Sequence, residues 1–187
     1  DSIQADITLI MAHLRRNEIP KAMAAVQVLE KKKPDDPVTH NMKGGVLLAS
    51  RDAAGARKAF ARALELKPDF LPAVANLARL DIADKQVEAA RKRYDDFIAK
   101  NPKSSQAYLQ YAEFLATTGS QPRDVQALLD KGLAAVPTAL PIRMALVRML
   151  VQSGDPKRAL QLAQEASVAS PDEPSVLELL GRAQVAA

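Results

Sequence analysis

Prolines recur along the chain at an almost constant spacing. Between them, apolar residues fall at helical spacing, in two runs separated by a short polar break. Because proline lacks an N–H and clashes with a continuing helix, each one is expected to end the second helix of its period. The spacing therefore predicts a tandem array whose repeating unit is one pair of helices. The five prolines stand 34, 34, 35 and 34 residues apart: Pro34, Pro68, Pro102, Pro137 and Pro171.

The polar breaks carry residues that start and stop helices. A carboxylate accepts hydrogen bonds from the free N–H groups of a helix start, and glycine adopts the left-handed conformation that ends a helix. We therefore expect Asp52, Asp84 and Asp155 to cap the helices that follow them. Gly119 and Gly154 are expected to end the helices that precede them.

Residues at fixed offsets from these prolines indicate how the helices pack. The chain is 48% hydrophobic but only 4% aromatic, so its core is expected to consist mostly of Ala, Leu and Val. Helices of about 14 residues are marginal alone in water, so each must bury its apolar side against its neighbours. The positions twelve, eight and five residues before the prolines are Ala22, Ala56, Ala90, Val125 and Ala159; Val26, Phe60, Tyr94, Leu129 and Ala163; and Leu29, Ala63, Phe97, Gly132 and Ala166.

The segment MKGGVLLASRDAAGARKAFARALELKP resembles a tetratricopeptide repeat (TPR), a helix-turn-helix unit of 34 residues with small residues in both helices and a closing proline. The aromatic residue that usually opens the first helix is present as Tyr108, but His40, Val74 or Arg143 stands there in other repeats. The resemblance implies an all-α fold, a right-handed superhelical solenoid of such repeats. The residues in phase with the family pattern are Gly44, Leu47, Ala56, Phe60, Ala63 and Pro68.

The same resemblance implies a single array of about five repeats plus one extra helix. The extra residue of the fourth period is expected within TTGSQPRD. The repeats are predicted at about 3–36, 37–70, 71–104, 105–139 and 140–173, with a partial sixth repeat at 174–187.

Two longer stretches resemble a narrower family. They are ALELKPDFLPAVANLARLDIADKQVEAARKRYDDFIAKNPKSSQAYLQYAEFLA and GDPKRALQLAQEASVASPDEPSVLELLG, and they look like the TPR-repeat lipoprotein of the bacterial PEP-CTERM and exosortase system. That family is encoded with exopolysaccharide genes. The resemblance implies an exported, lipid-anchored protein of the cell envelope or periplasm, with a cytoplasmic location as the alternative. Since the sequence opens at Asp1 without Met, we expect a fragment of a longer protein, with the acylated cysteine in the missing part.

Side chains that carry catalysis or bind metals are sparse. The chain has no cysteine and only two histidines, His13 and His40, neither of which has a partner at ligand spacing. The glycines of MKGG fall inside a helical pattern, where they favour close approach of a neighbouring helix over a phosphate loop. Asp95 and Asp96 are adjacent, so they point about 100° apart on a helix and cannot act as a catalytic pair. We predict a non-enzymatic protein with no catalytic residue, cofactor or metal site.

The charge pattern argues against a nucleic-acid partner. The net charge is only +4, and positive and negative residues alternate along the chain. The basic run 31–33 is predicted to offset the dipole of the helix that it ends. The basic run 91–93 is predicted to form a solvated face of mixed charge. Neither run is interleaved with the aromatic residues that stack on bases. No apolar run reaches the length of a membrane span.

The surface predicted to bind a partner follows from the TPR resemblance, which places the first helix of each pair on the concave side of the array. One position in each repeat lies 23 residues before the periodic proline, or 24 in the longer repeat, and these positions form a row. From the third repeat onward, this position holds a charged residue. Amide side chains on the same helices are able to bond a peptide backbone. A second interpretation stays open, in which the charged residues pair across neighbouring helices and only solubilise the groove. The row is Met11, Gly45, Arg79, Glu113, Arg148 and, by extrapolation, Arg182, and the amides are Asn41, Asn76, Gln106 and Gln110.

These features predict a protein–protein interaction scaffold that binds a partner peptide or helix in a concave groove, within an exopolysaccharide or PEP-CTERM export system. The alternatives are a generic assembly adaptor unrelated to secretion and, less favoured, a polysaccharide-binding protein. Sugar binding usually needs aromatic platforms, whereas Tyr94, Tyr108 and Tyr111 fall largely at core positions.

The apolar face of the last predicted helix leads us to expect self-association. This face has no following polar helix to cover it, and uncapped repeat arrays tend to associate through such faces. The residues of this face are Val176, Leu177, Leu180 and Val185.

Overall fold

The chain is helical throughout the part that the computed structural model describes, residues 3–187. Helices of 13 or 14 residues alternate with short connections, which confirms the all-α array of helix pairs. The repeat boundaries and the right-handed superhelix stay predictions. The helices are α1 (Ile3–Arg15), α2 (Ile19–Lys32), α3 (Pro37–Ala49), α4 (Ala53–Leu66), α5 (Leu71–Ala83), α6 (Val87–Lys100), α7 (Ser105–Thr117), α8 (Pro122–Ala135), α9 (Leu140–Ser153), α10 (Pro156–Ala169) and α11 (Pro174–Ala186).

Each periodic proline follows the end of a second helix by one intervening residue. In α4, for example, the N–H of Lys67 still donates to the carbonyl of Ala63 at 2.9 Å, and Pro68 then has no N–H to continue the pattern. The helices α2, α8 and α10 end with the same hydrogen bond, and in α6 the N–H of Asn101 donates to the carbonyl of Ile98, one residue later than in the others. Each of these helices ends two residues before its periodic proline, so the predicted role of the prolines is confirmed.

Two of the three predicted aspartate caps are present. The carboxylate of Asp52 accepts the N–H of Gly55 at 2.8 Å, and the carboxylate of Asp155 accepts the N–H of Arg158 at 3.2 Å. The prediction for Asp84 is wrong, because this residue directly follows α5 and lies too early to cap α6, which begins at Val87. A left-handed turn at the next residue separates Asp84 from the start of α6.

Every polar break contains one left-handed residue. Gly119 and Gly154 have φ values of +78° and +82°, as predicted, and the equivalent positions are held by Asn17, Arg51 and Lys85 at φ values of 56°, 65° and 61°. The extra residue of the fourth period lies in the four-residue connection 118–121, which confirms its predicted place. The breaks therefore share one backbone turn whether or not they contain glycine.

The described chain divides into two compact units, one up to Phe97 and one from Ile98 onward. In the first unit, one buried cluster joins α1, α2 and α3 around Ile10, Val26 and Val46. A second cluster joins α4 and α5 around Phe60 and Leu77. The first cluster consists mostly of Ile, Val and Leu with Ala22, whereas the second contains Ala56, Ala63 and Ala73 around its large side chains.

In the second unit, the largest buried side chains include Tyr108 of α7, Ile142 and Leu146 of α9 and Val176 of α11. Gly132 of α8 lies against Tyr108, and a Cβ atom at position 132 would be 2.7 Å from the ring atom Cγ. The predicted buried positions are confirmed in both units, since all fifteen offset positions are inaccessible or nearly so.

The exposed face of α11 differs from the prediction at one residue. Val176 is fully buried, because it faces the interior of the second unit, whereas Leu177 and Val185 are 52% and 91% exposed. Over residues 3–187, none of the helices combines the length and the apolar character that a membrane span requires.

Candidate partner-binding surface

Two of the predicted amide residues contact each other in the first unit. The side-chain nitrogen of Asn76 on α5 donates to the side-chain oxygen of Asn41 on α3 at 3.0 Å. Asn41 is buried and Asn76 is half-buried. The pair joins two first helices, so these amides already use part of their hydrogen-bonding capacity within the chain.

Arg79 lies on α5 one turn after Asn76, so the two side chains are close on the helix surface. Arg79 is exposed, and it forms no ion pair with any of residues 3–187. The first unit therefore presents one unneutralised cation beside the amide pair.

The second unit contains a groove between α7 and α9, with a volume of about 820 Å³. We call it the α7–α9 groove. Val125 and Leu129 of α8 and the start of α11 complete its walls. Small residues on α7 and α9 leave the space open, and two methionines of α9 line it with flexible side chains. The lining residues are Leu109, Ala112, Glu113, Ala116, Val125, Leu129, Leu140, Pro141, Met144, Ala145, Arg148, Met149, Gln152, Glu173 and Ser175.

Two predicted site residues, Glu113 of α7 and Arg148 of α9, line this groove. Both are exposed, and within the described second unit no ion pair joins them to each other or to a further residue. The Nε atom of Arg148 donates only to the carbonyl of Met144, at 3.3 Å. The sequence left open that charged residues of neighbouring first helices pair with each other, and Glu113 and Arg148 do not form such a pair.

Arg182 lies in a smaller neighbouring cavity of about 220 Å³, which it shares with Met144 and Arg148. Its guanidinium forms an ion pair with Glu178 one turn earlier on α11, at 2.6 Å. Arg182 is therefore close to the groove but neutralised by its own helix.

Gln106 and Gln110 do not line the α7–α9 groove, although both lie on α7. Gln106 is exposed. The side-chain oxygen of Gln110 is buried without a hydrogen-bond partner among the described residues. The structure thus brings Glu113 and Arg148 to one groove and leaves the two glutamines outside it.

Comparison with known families decides what this array is. One model of the tetratricopeptide repeat matches residues 47–113 and 116–183, and a second model of the same repeat matches residues 7–70. The chain belongs to the tetratricopeptide repeat family. Members of this family bind protein or peptide partners as scaffolds and are typically non-enzymatic.

Solved TPR structures share the fold along almost the whole chain. The protein TTC0263 of Thermus thermophilus is 20% identical, with a TM-score of 0.57, over 99% of this chain and 98% of that one. Pseudomonas aeruginosa PilF is 16% identical, with a TM-score of 0.58, over 98% and 83%. YrrB, described as a TPR protein with an unusual peptide-binding site, is 16% identical, with a TM-score of 0.51, over 92% and 89%. No curated protein matches the sequence.

The first helices of two TPR repeats replace the opening aromatic with a side chain that bonds the proline turn. The Nε2–H of His40 donates to the carbonyl of Pro34 at 2.6 Å, and the guanidinium of Arg143 donates to the carbonyl of Pro137 at 2.9 Å. The donor lies six residues after the acceptor in both cases. These polar residues therefore hold the turn between repeats at positions where the family pattern has an aromatic ring.

The other histidine, His13, lies near the end of α1, beside the connection to α2. His13 bonds the carboxylate of Glu18 at 2.7 Å, and Lys21 donates to the same carboxylate at 2.9 Å. These two hydrogen bonds, of which that with His13 has the larger effect, lower the pKa of Glu18 to about 2. Among residues 3–187, no three His, Cys, Asp or Glu side chains gather as metal ligands.

Sequence analysis missed a buried ionic cluster in the first unit. The carboxylate of Asp81 on α5 is 1% exposed and accepts hydrogen bonds from Arg57 at 2.6 Å and from Arg93 at 2.5 Å. Arg57 also donates to Asp84 at 2.6 Å. The solvated face predicted for run 91–93 is therefore wrong at Arg93, which turns toward the buried acid. The available signal was an acid inside the apolar segment LARLDIA.

The pKa values in this cluster follow from its contacts. Burial by itself would raise the pKa of Asp81, but the hydrogen bonds from Arg93 and Arg57 outweigh it and lower that pKa. The bond to Asp81 raises the pKa of Arg57. Asp81 and Arg57 are thus both charged at neutral pH, and the cluster ties α4, α5 and α6 together.

Proposed function

We propose that this TPR protein captures a segment of a partner protein in the α7–α9 groove. The observation that carries the proposal is the groove itself, an apolar cleft of about 820 Å³ lined by two exposed charges, Glu113 and Arg148, that have no ion-pair partner among residues 3–187. Pockets of this size and composition are where proteins usually bind ligands. Apolar burial would supply most of the affinity, while Glu113 and Arg148 would select and orient the partner.

A peptide-like partner is supported by the family and by one structural relative. TPR proteins are interaction scaffolds, and YrrB carries a peptide-binding site by its description. The three tyrosines of this chain are buried, so they offer no exposed aromatic platform for a sugar ring. This favours a protein partner over a polysaccharide.

The proposed partner belongs to a PEP-CTERM or exopolysaccharide export system, and the full protein is lipid-anchored in the cell envelope. Support for this part comes only from the resemblance of the two long sequence stretches given above. A generic adaptor in the cytoplasm is the competing proposal. Arg79, Asn41 and Asn76 would form a second, minor contact surface in the first unit.

A cross-linking pull-down from fractionated cells of the source organism tests the groove. Ala116→Trp places a bulky ring in the groove from an exposed position, and Ala134→Trp is a matched control on exposed α8 surface. We expect a membrane-fraction partner to be captured by the wild-type protein and the control, and to be lost with Ala116→Trp. Equal capture by both variants would refute the groove. A partner found only in the cytosolic fraction would refute the export assignment.

A further inference from the structure

We infer that the segment bound in the α7–α9 groove is an amphipathic helix with one basic and one acidic residue seven positions apart. This inference rests on the proposed function and adds the chemistry of the partner. It follows from three features of the second unit: the polarity of the groove lining, the pairing of its charges and the spacing of its helices.

The groove lining favours a helix over an extended peptide. Ten of the fifteen lining residues are apolar, and the polar ones are Glu113, Arg148, Gln152, Glu173 and Ser175. An extended chain would bury backbone N–H and C=O groups against this lining with few partners, which is costly. A helix satisfies its own backbone groups and presents only side chains to the groove. Met144 and Met149 adapt readily to such side chains.

Two charges in and beside the groove are already neutralised or held locally. Arg182 pairs with Glu178 at 2.6 Å. The carboxylate of Glu173 accepts the hydroxyl of Ser175 at 2.8 Å and lies at the start of α11, where the helix dipole favours an anion. Glu113 and Arg148 have no such partner in the described second unit. A complementary ligand therefore offers one cation to Glu113 and one anion to Arg148.

The spacing of these two charges matches a helix. Glu113 and Arg148 occupy equivalent positions in consecutive first helices, α7 and α9, which pack against each other. Packed helices lie about 8–10 Å apart, so equivalent positions are separated by about that distance. Seven residues of an α-helix advance about 10.5 Å and return to nearly the same face. A ligand helix lying across α7 and α9 thus meets both charges with residues i and i+7.

Designed peptides of about 18 residues provide the test, because each keeps one apolar face and varies only two charges. The first carries Lys and Glu at i and i+7, the second two Lys, the third two Glu, and the fourth Lys and Glu at i and i+5. Reversing the order of Lys and Glu is not a useful control, since a helix can bind in either direction. Fluorescence anisotropy at low salt gives the Kd of each peptide.

Wild-type protein is expected to bind the Lys/Glu i, i+7 peptide about 3- to 10-fold more tightly than the other three. Arg148→Glu leaves two acids and should shift the preference to the two-Lys peptide. Glu113→Arg leaves two bases and should shift it to the two-Glu peptide. Both residues are exposed, so both variants should keep the wild-type thermal melt.

The outcomes separate this inference from the proposed function. Binding that is lost with Ala116→Trp but is equal for all four peptides would refute the charge register and leave the groove in place. Binding that survives Ala116→Trp would refute the groove as the site. Absence of binding by every helical peptide would overturn the helical ligand, and the cross-linking pull-down would then decide the proposed function alone.

Discussion

Gly44 of α3 lies directly against the ring of Phe60 of α4, so closely that a Cβ atom at position 44 would be 2.4 Å from Cε1 of the ring. Because Phe60 is fully buried, its ring has little room to move, and Gly44→Ala should lower the free energy of unfolding by about 1–3 kcal/mol. The adjacent Gly45 has open space at its Cβ position. Gly45→Ala should therefore raise the free energy of unfolding by about 0.5–1 kcal/mol. Urea denaturation of both variants checks the pair, and similar effects of the two would contradict this packing.

Lys85 adopts a left-handed conformation at the break between α5 and α6, where two of the other repeats have glycine, Gly119 and Gly154. A side chain in this conformation costs about 1–2 kcal/mol, and glycine removes most of that cost at some loss of chain entropy. We expect Lys85→Gly to raise the thermal midpoint, with a gain of about 0.5–1 kcal/mol. Gly154→Ala, at the equivalent position, should lower the midpoint. A decrease for Lys85→Gly would mean that its side chain stabilises the turn.

Asp81 should make the stability of the first unit depend on acid. Its pKa in the folded state is below its unfolded value of about 3.8, so its contribution is fully present above that value and is lost as the pH falls through the folded pKa. Asp81→Asn should cost about 1–3 kcal/mol at neutral pH, because Arg57 and Arg93 lose a charged acceptor. The variant should also lose part of the decline in stability below pH 4. Denaturation curves from pH 7 to pH 2 test both effects, and parallel curves for variant and wild type would contradict the second.

The exposed face of α11 should make the protein associate with itself. Leu177 is 52% exposed there, and burying such a side chain in an interface is favourable. We expect the mass measured by sedimentation equilibrium to rise with concentration and to become constant in Leu177→Glu. Val168→Glu is a matched control, since Val168 is 85% exposed on α10. A constant monomer mass for wild-type protein at high concentration would contradict this prediction.

The regular part of the fold was predictable because it depends on local chemistry. Proline cannot continue a helix beyond its first turn, so the five periodic prolines mark helix ends, and small residues at a fixed offset from them mark helix crossings. The pairing of helices and the buried positions therefore followed from spacing alone. The place of the extra residue in 118–121 followed from the same spacing.

The errors arose where three-dimensional context overrides residue type. Gly45 and Gly44 look alike in sequence, but only Gly44 faces Phe60. Asn17, Arg51 and Lys85 adopt the left-handed conformation that was expected at Gly119 and Gly154 and was not expected at these three residues. Asp84 resembles a helix cap, yet a left-handed turn places it outside the helix that it was expected to start.

The candidate site was only partly predictable. A periodic row selects residues of one helix phase, which is why Glu113 and Arg148 meet at one groove. The sequence row does not show which of the predicted site residues already bond another side chain of this chain. Arg182 forms an ion pair within its own helix, and Asn41 accepts a hydrogen bond from Asn76. The groove also depends on the absence of large side chains at Ala112, Ala116 and Ala145, which no charged or polar motif indicates.

Site-specific photo-cross-linking in cells of the source organism tests the central claim most directly. A photo-reactive residue would replace Gln152, which is exposed and lines the α7–α9 groove, or Gln164, which is exposed on α10 outside the residues that line it. The account predicts that Gln152 alone gives a partner adduct, which mass spectrometry maps to one amphipathic segment of that partner. Adducts formed equally from both positions, or only from Gln164, would contradict partner capture in this groove.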